Sequence, residues 1–386
     1  MARIYLDNGA TSWPKPEAVY DAVDAYQRTL GAPAGRGTYA AALEVDRRID
    51  RTRWRLARLI DAGDPRQIVF CYSGTDALSL ALRGLLRPGD HVVTSVFDHN
   101  SVLRPLRHEE ACGRVEVTRL AGSGDGCVTV DEVRGALTER TRLVVLTHAS
   151  NVTGVVQPIE AIGQLLQSHP ALLLVDAAQT VGHLPLSVRR LQCDFLAAPA
   201  HKGLLAPTGT GFLYVAPGRE AMLEPLRYGG TGTSSESDEA PRELPAKYEA
   251  GNLNAPGLVG LEAALAWLEE RTVEAIAAHG QRLGQLLRQG LSELPQVTVY
   301  GPAEAAGCPR APLLSFNVDD LPSQETAILL NQLAGIEVRA GFHCAPRMHA
   351  SLQTAELGGT VRASWGPFTT EDEIHALLAT LAQILP

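Results

Sequence analysis

Between Gln67 and Gly211 the chain alternates short apolar runs with stretches of helical spacing, a pattern few folds accommodate. "QIVFCYS" leads into "TDALSLALRGLL", "HVVTSV" follows, and "RLVVLTHAS" precedes "PIEAIGQLLQ". "ALLLVDAA", "CDFLAA" and "GFLYV" complete the series. These runs are apolar at successive positions, so both faces of each strand must be covered. Such strands, separated by helices, give a mainly parallel sheet between helical layers. Upstream, Glu17 to Leu30 and Ala41 to Ile60 have helical apolar spacing. Gly229 to Lys247 reads as a long loop, a length that is usually functional or disordered. Beyond it, "LVGLEAALAWLEE" and "AIAAHGQRLGQLLRQGL" are helical, and the remainder mixes the strands "VTVYG", "LLSFNV", "IEVRA" and "TVRASW" with the helices "QETAILLNQL" and "EDEIHALLATLAQIL". The expectation is a large α/β domain over residues 16–256 and a smaller α+β domain over 257–386, with residues 1–15 packed against the smaller one.

Composition excludes several functions. A formal charge of -9 makes nucleic acid or an anionic membrane an unsuitable main partner, because both require a basic surface. No run approaches the eighteen or so apolar residues of a membrane span, and "MARIYLDNGATSWPKP" lacks the apolar core of a signal peptide. The six cysteines (71, 112, 127, 193, 308 and 344) are scattered with no CxxC pair, which fits free thiols in a reducing cytoplasm.

The stretch most informative about chemistry runs from "LLLVDAAQTVGHLPLSV" to "DFLAAPAHKGLLAPTGTGFLYV". Asp176 ends one apolar strand and Lys202 follows another, at the strand ends where open α/β sheets place ligands. Singly, Asp176 could cap a helix and Lys202 could be a solvated loop residue. Together, an acid and an amine at two strand ends suit pyridoxal 5'-phosphate, which needs an imine-forming lysine and an anion at its ring nitrogen. "SGTDALSLALRGLL" offers Gly74 and Thr75 at a helix start, where backbone N–H groups and the helix dipole favour a phosphate. Cys344, in "IEVRAGFHCAPRMH", could be a buried filler, a metal ligand or a nucleophile. The metal alternative, with His343 and His349, lacks a second cysteine pair and finger spacing, so no metal is expected. The other five cysteines suit buried packing better, since none lies in a comparable glycine turn.

These motifs, in this order, resemble the class V aminotransferase family and, within it, the cysteine desulfurases. "YLDNGATSWPKP", "DHNSV", "SNVTG", "GGTGTSSES", "YEAGN", "RAGFHCA" and "GTVRAS" extend the resemblance from Tyr5 to the C-terminus. It implies fold type I of the pyridoxal-phosphate enzymes, with a mainly parallel sheet of the seven-stranded type, and a homodimer. By the same resemblance, Lys202 tethers the cofactor and moves protons at the substrate α-carbon, while Asp176 pairs with the ring nitrogen. Gln179 donates to the ring hydroxyl, His99 stacks on the ring and serves catalysis as an acid or base, and Asn151 contacts the cofactor hydroxyl or the substrate carboxylate. Gly74, Thr75 and His201 cradle the phosphate, and Arg362 grips the substrate carboxylate through paired hydrogen bonds. Cys344 is then the nucleophile of the short-loop group marked by RxGxHCA. The implied reaction converts L-cysteine to L-alanine and leaves a persulfide for a sulfur acceptor, such as a scaffold for iron–sulfur clusters. Selenocysteine lyase, another C–S lyase, transamination, or a sulfur-transfer scaffold with little turnover are the alternatives.

Four residues depart from the family pattern. Pro199 and Ala200 stand where a hydroxyl residue and glycine are common, which removes one expected phosphate contact. Asn252 replaces a threonine that in relatives reaches the neighbouring subunit's phosphate; its amide could still donate, so it is kept among the expected cofactor-binding residues. Phe342 replaces a second histidine.

Overall fold

The computed structural model describes residues 3–122, 126–230, 237–302 and 310–385. A short strand, β1 (Ile4–Tyr5), precedes the main sheet. The sheet comprises β2 (Ile68–Cys71), β3 (Asp90–Ser95), β4 (Val115–Leu120), β5 (Thr141–Thr147), β6 (Leu172–Asp176), β7 (Phe195–Pro199) and β8 (Gly211–Val215). Its seven strands lie in the order β2-β8-β7-β6-β5-β3-β4. Pairings from β7 through β4 are parallel, and β8 runs antiparallel to both neighbours.

Alternation along each strand divides the interior into two cores. In β5, Val144 and Leu146 enter one apolar cluster while Leu143 and Val145 enter the other. β6 does the same, with Leu173 and Val175 on one side and Leu172 and Leu174 on the other. Each such side chain stabilises the fold by roughly 1.5–3 kcal/mol when fully buried, so doubly covered strands are the strongest scaffold available. β4 differs. It is an edge strand with a half-exposed middle, and its sequence, VEVTRL, lacks the continuous apolar signal of its neighbours.

A second sheet, antiparallel throughout, is built from β9 (Val297–Tyr300), β10 (Leu313–Val318), β12 (Arg339–Gly341) and β13 (Thr360–Ser364), in the order β12-β13-β10-β9. It shares an apolar cluster with the helices Val273–Ser292, Ser323–Ala334 and Glu371–Ile384. β11 (Ile336–Glu337) pairs in parallel with β1. Asp7 then bridges to Ser364 at the end of β13. The N-terminal segment is thereby stitched to the second sheet before it turns toward the first.

Candidate active site

The carboxyl ends of β3, β5, β6 and β7 lie along one edge of the main sheet, and acidic and basic side chains gather there. Asp176, the last residue of β6, is buried, and its Oδ1 accepts the Ala178 N–H at 3.0 Å. Burial pushes its carboxyl up, opposed by that donor and by the nearby Lys202. Two strands away, Asp98 is fully buried just after β3. Its Oδ2 accepts from Thr94 Oγ1, Ser95 N and Ser95 Oγ, each at 2.8 Å, and its Oδ1 accepts from Thr147 N at 2.6 Å. Burial pushes Asp98 up to about 6 against these donors. The carboxylate ties the end of β3 to the end of β5, and so fixes the backbone from which His99 projects.

His99 caps the helix Asn100–Ala111. Its Nδ1 accepts the Ser101 backbone N–H at 3.0 Å, which can only donate, so the neutral ring carries its proton on Nε2. Burial pulls the imidazole down to about 4, with Lys202, Arg339, Arg362 and Arg104 acting in the same direction. The Ser101 hydroxyl lies 2.9 Å from His99 Nδ1 and 2.7 Å from Thr75 Oγ1. Thr75 belongs to the first turn of the helix Gly74–Leu85, whose N-cap Ser73 accepts the Asp76 N–H. Gly74 is obligatory here, because a Cβ would meet Pro199 Cδ at 2.8 Å. The proline that removes a hydroxyl therefore forms the wall against which this helix start rests.

Lys202 follows β7, and burial lowers its amine to about 8, with Arg362 and Arg339 adding to the fall and Asp176 opposing it. His201 Nδ1 is buried with no hydrogen-bond partner among the described residues. The His201 carbonyl accepts from Ser12 N at 2.9 Å and from the hydroxyls of Thr11 and Ser12. The N-terminal loop thus crosses the site. Gly9 lies against the Arg362 guanidinium, where a Cβ would come within 3.2 Å of Cζ, and its carbonyl accepts from Gln179 Nε2 at 3.1 Å.

Cys344 sits at an exposed turn closed by the Ala345 N–H to the Phe342 carbonyl at 2.8 Å. His343 and Cys344 both have positive φ, +48° and +59°, a backbone that non-glycine residues adopt at a cost of about 1 kcal/mol or more each. Neighbouring loops hold this turn in place. Asn100 N–H donates to the Cys344 carbonyl at 2.8 Å, and Asn151 Nδ2 donates to the His343 carbonyl at 2.6 Å. His343 Nε2 donates to the Thr360 carbonyl at 3.0 Å. Arg339 Nη2 approaches Cys344 Sγ at 3.9 Å. Arg339 lies directly across from Arg362 in the β12–β13 ladder. Arg362 is buried, with Nη2 on Asp7 Oδ1 at 2.9 Å, Nη1 on the Asn151 carbonyl at 3.0 Å, and Nε without a partner among the described residues.

Hydrogen bonds and electrostatic coupling thus link Thr75, His99, Asn151, Asp176, Lys202, Cys344 and Arg362. Gln179 and His201 join them through the N-terminal loop. Asn252 stands apart: it is exposed, and its carbonyl accepts from Tyr72 Oη at 3.1 Å. Two cysteine expectations need correction. Cys71 and Cys193 are buried, but Cys112 is exposed at the C-cap of its helix and Cys127 is only half-buried in a loop. Cys308 and most of the "GGTGTSSES" motif (residues 231–236) lie outside the described residues. The motif reading also passed over Asp7, Asp98 and Ser101 as side chains with roles of their own. Asp98 lies beside His99 in "DHNSV", but its donors come partly from β5, which no local spacing reveals.

Comparison with known proteins agrees with this geometry. The family model described as "Aminotransferase class-V" matches residues 4–377. A probable cysteine desulfurase of Methanothermobacter thermautotrophicus is 37% identical over 386 residues, covering 99% of this chain and 94% of that protein. A cysteine desulfurase of Klebsiella pneumoniae subsp. pneumoniae is 32% identical over 390 residues, with 99% and 93% covered. Among solved structures, an apo cysteine desulfurase from Thermococcus onnurineus superposes with a TM-score of 0.91 at 30% identity, covering 99% of this chain and 94% of that one. With a family match across nearly its whole length, the chain belongs to the class V aminotransferases.

Proposed function

We propose that this chain is a pyridoxal-phosphate-dependent cysteine desulfurase, converting L-cysteine to L-alanine and carrying the sulfur on Cys344 for a sulfur acceptor. One observation carries the reading: the turn bearing Cys344 is bonded to Asn100 and Asn151, on the two loops that also present His99 and grip Arg362. A reactive thiol is thereby fastened to the rim of a lysine–aspartate site.

The residues present fit the cofactor. His201 Nδ1 is a buried nitrogen lacking a partner among the described residues, two residues beyond Pro199, against which the helix start suited to a phosphate rests. Asp176 is a buried acid that forms no salt bridge among the described residues, as the partner of a protonated ring nitrogen requires. When bound, pyridoxal phosphate supplies an aldehyde and an electron-withdrawing ring that stabilises negative charge on the substrate α-carbon.

The chain's own groups then divide the work. Lys202, lowered to about 8, has a sizeable neutral fraction near physiological pH, so its Nζ can both attach the aldehyde and move a proton. Arg362 remains a cation despite burial, and its unpartnered Nε leaves it a donor for the substrate carboxylate. His99 presents an N–H at Nε2 because its Nδ1 is already in use. Cys344 Sγ, as the thiolate, forms an S–S bond to the substrate sulfur while the C–S bond breaks. The electron pair stays with the carbon fragment, which becomes L-alanine on protonation. Arg339 Nη2 lies 3.9 Å from that sulfur.

The test is incubation of the purified protein with L-cysteine and a reductant, measuring sulfide and alanine together. Equal amounts are expected. Cys344→Ser should lower sulfide release by up to about a millionfold, the scale of removing a nucleophile, while the bound cofactor keeps its visible absorbance. Pyruvate in place of alanine, or undiminished turnover by Cys344→Ser, would overturn the reading.

A further inference from the structure

Three heteroatoms form a chain from the phosphate end of the site to the imidazole: Thr75 Oγ1, Ser101 Oγ at 2.7 Å, and His99 Nδ1 at 2.9 Å from that oxygen. The two hydroxyls carry one proton each. An oxygen pair at 2.7 Å needs a proton between its members. This leaves two arrangements. In one, Thr75 donates to Ser101, and Ser101 donates to His99 Nδ1. In the other, Ser101 donates to Thr75, and Thr75 donates outward.

A charged acceptor decides between them, because a hydrogen bond to an anion is roughly twice as strong as one between neutral groups. Once Thr75 gives its proton to a phosphate oxygen, Ser101 must turn toward Thr75. His99 Nδ1 then keeps only the Ser101 backbone N–H, and a Ser101 lone pair faces it instead of a proton. We propose that Ser101 is a positioning residue that couples occupancy of the phosphate subsite to the hydrogen bonding of His99 Nδ1. This rests on the reading of Thr75 as part of the phosphate cradle.

The chemical consequence is directional. A hydroxyl donating to Nδ1 stabilises the neutral ring, and a lone pair in its place favours the protonated one. The charges that act most on His99, those of Lys202, Arg339, Arg362 and Arg104, are cationic, and with burial they hold the ring neutral; the buried Asp98 carboxylate beside it in the chain is engaged by Thr94, Ser95 and Thr147. Filling the phosphate subsite relaxes one of these constraints. Proton transfer at His99 is then easier with the cofactor in place.

The experiment uses the full-length chain carrying nitrogen-15 histidine, near neutral pH, with inorganic phosphate as the probe and the His99 signals assigned by their loss in His99→Gln. In the wild type, phosphate should move the Nδ1 resonance downfield, as a ring nitrogen does on losing a hydrogen-bond donor. In Ser101→Ala, Nδ1 should start at the downfield position and stay there when phosphate is added. Ser101→Thr, which keeps the hydroxyl, should restore the phosphate response. Equal movement in wild type and Ser101→Ala, or none in the wild type, would overturn the coupling. Failure of the cofactor reading has a separate signature: no visible absorbance with pyridoxal phosphate, while the phosphate-driven shift persists.

Discussion

Lys202 shows how far one residue's surroundings can set its chemistry. Its amine is lowered to about 8, chiefly by burial, and an amine attacks an aldehyde only when neutral. Below that value, the rate at which the visible band develops on adding pyridoxal phosphate should rise about tenfold per pH unit, then level off above it. Stopped-flow absorbance checks this, and a rate independent of pH between 6 and 8, as roughly bracketed by that value, would contradict it. The sign also bears on stability: a lysine whose folded value is depressed binds fewer protons than the unfolded chain between about 8 and 10.5. The cofactor-free protein should therefore gain stability as pH rises through that window. Asp98 and Arg362 mark the limit of sequence reading at this scale. Asp98 was legible as a motif letter, but its partner Thr147 comes from another strand, 49 residues away. Arg362 meets Asp7 across 355 residues, a pairing set by the tertiary fold alone.

At the scale of elements, the best-read parts were those whose burial is continuous. β5, β6, β7 and β8 are buried at nearly every position, and their apolar runs announced them. β4 was missed because half of it faces out. Cys112 departs from the usual preference of free cysteine for burial: it is exposed at the C-cap of the helix Asn100–Ala111, a placement that residue type does not reveal. The start of the helix Gly74–Leu85 carries the sharpest prediction here. Gly74→Ala would place a methyl 2.8 Å from Pro199 Cδ, so the helix end must lift from the sheet. Overpacking of this kind costs about 1–3 kcal/mol, and the lifted N–H groups should weaken cofactor affinity by about tenfold. Urea unfolding and a fluorescence titration with pyridoxal phosphate measure both. Unchanged affinity would remove this helix start from the phosphate cradle.

For the whole molecule, the N-terminal segment runs from the second sheet to the first. The chain enters through the β1–β11 pair, passes Asp7 and Gly9 against Arg362, and leaves at Ser12 under His201. A cluster of exposed aromatic residues lies elsewhere on the surface. Tyr39, Tyr72 and Tyr228 are 55%, 43% and 70% exposed. Their segments are joined by Arg36 on the Gly230 carbonyl and by Arg227 over the Tyr72 ring, near the exposed Asn252. Exposed aromatics at this density suit an interface. The proposal of a homodimer, with Asn252 reaching the partner's site, predicts a sedimentation mass twice that of the chain, and a tyrosine-to-glutamate pair at positions 72 and 228 should shift it toward monomer. A monomeric wild type would contradict it.

The central claim, that Cys344 takes sulfur from the substrate, has a direct measurement. The enzyme is mixed with one equivalent of L-cysteine without reductant, quenched, digested, and the peptide containing Cys344 is weighed by mass spectrometry. The expected result is one added sulfur atom on Cys344, with alanine released in matching amount. Alanine formed while Cys344 remains an unmodified thiol, or the added sulfur found on Cys112 or Cys127 instead, would contradict it.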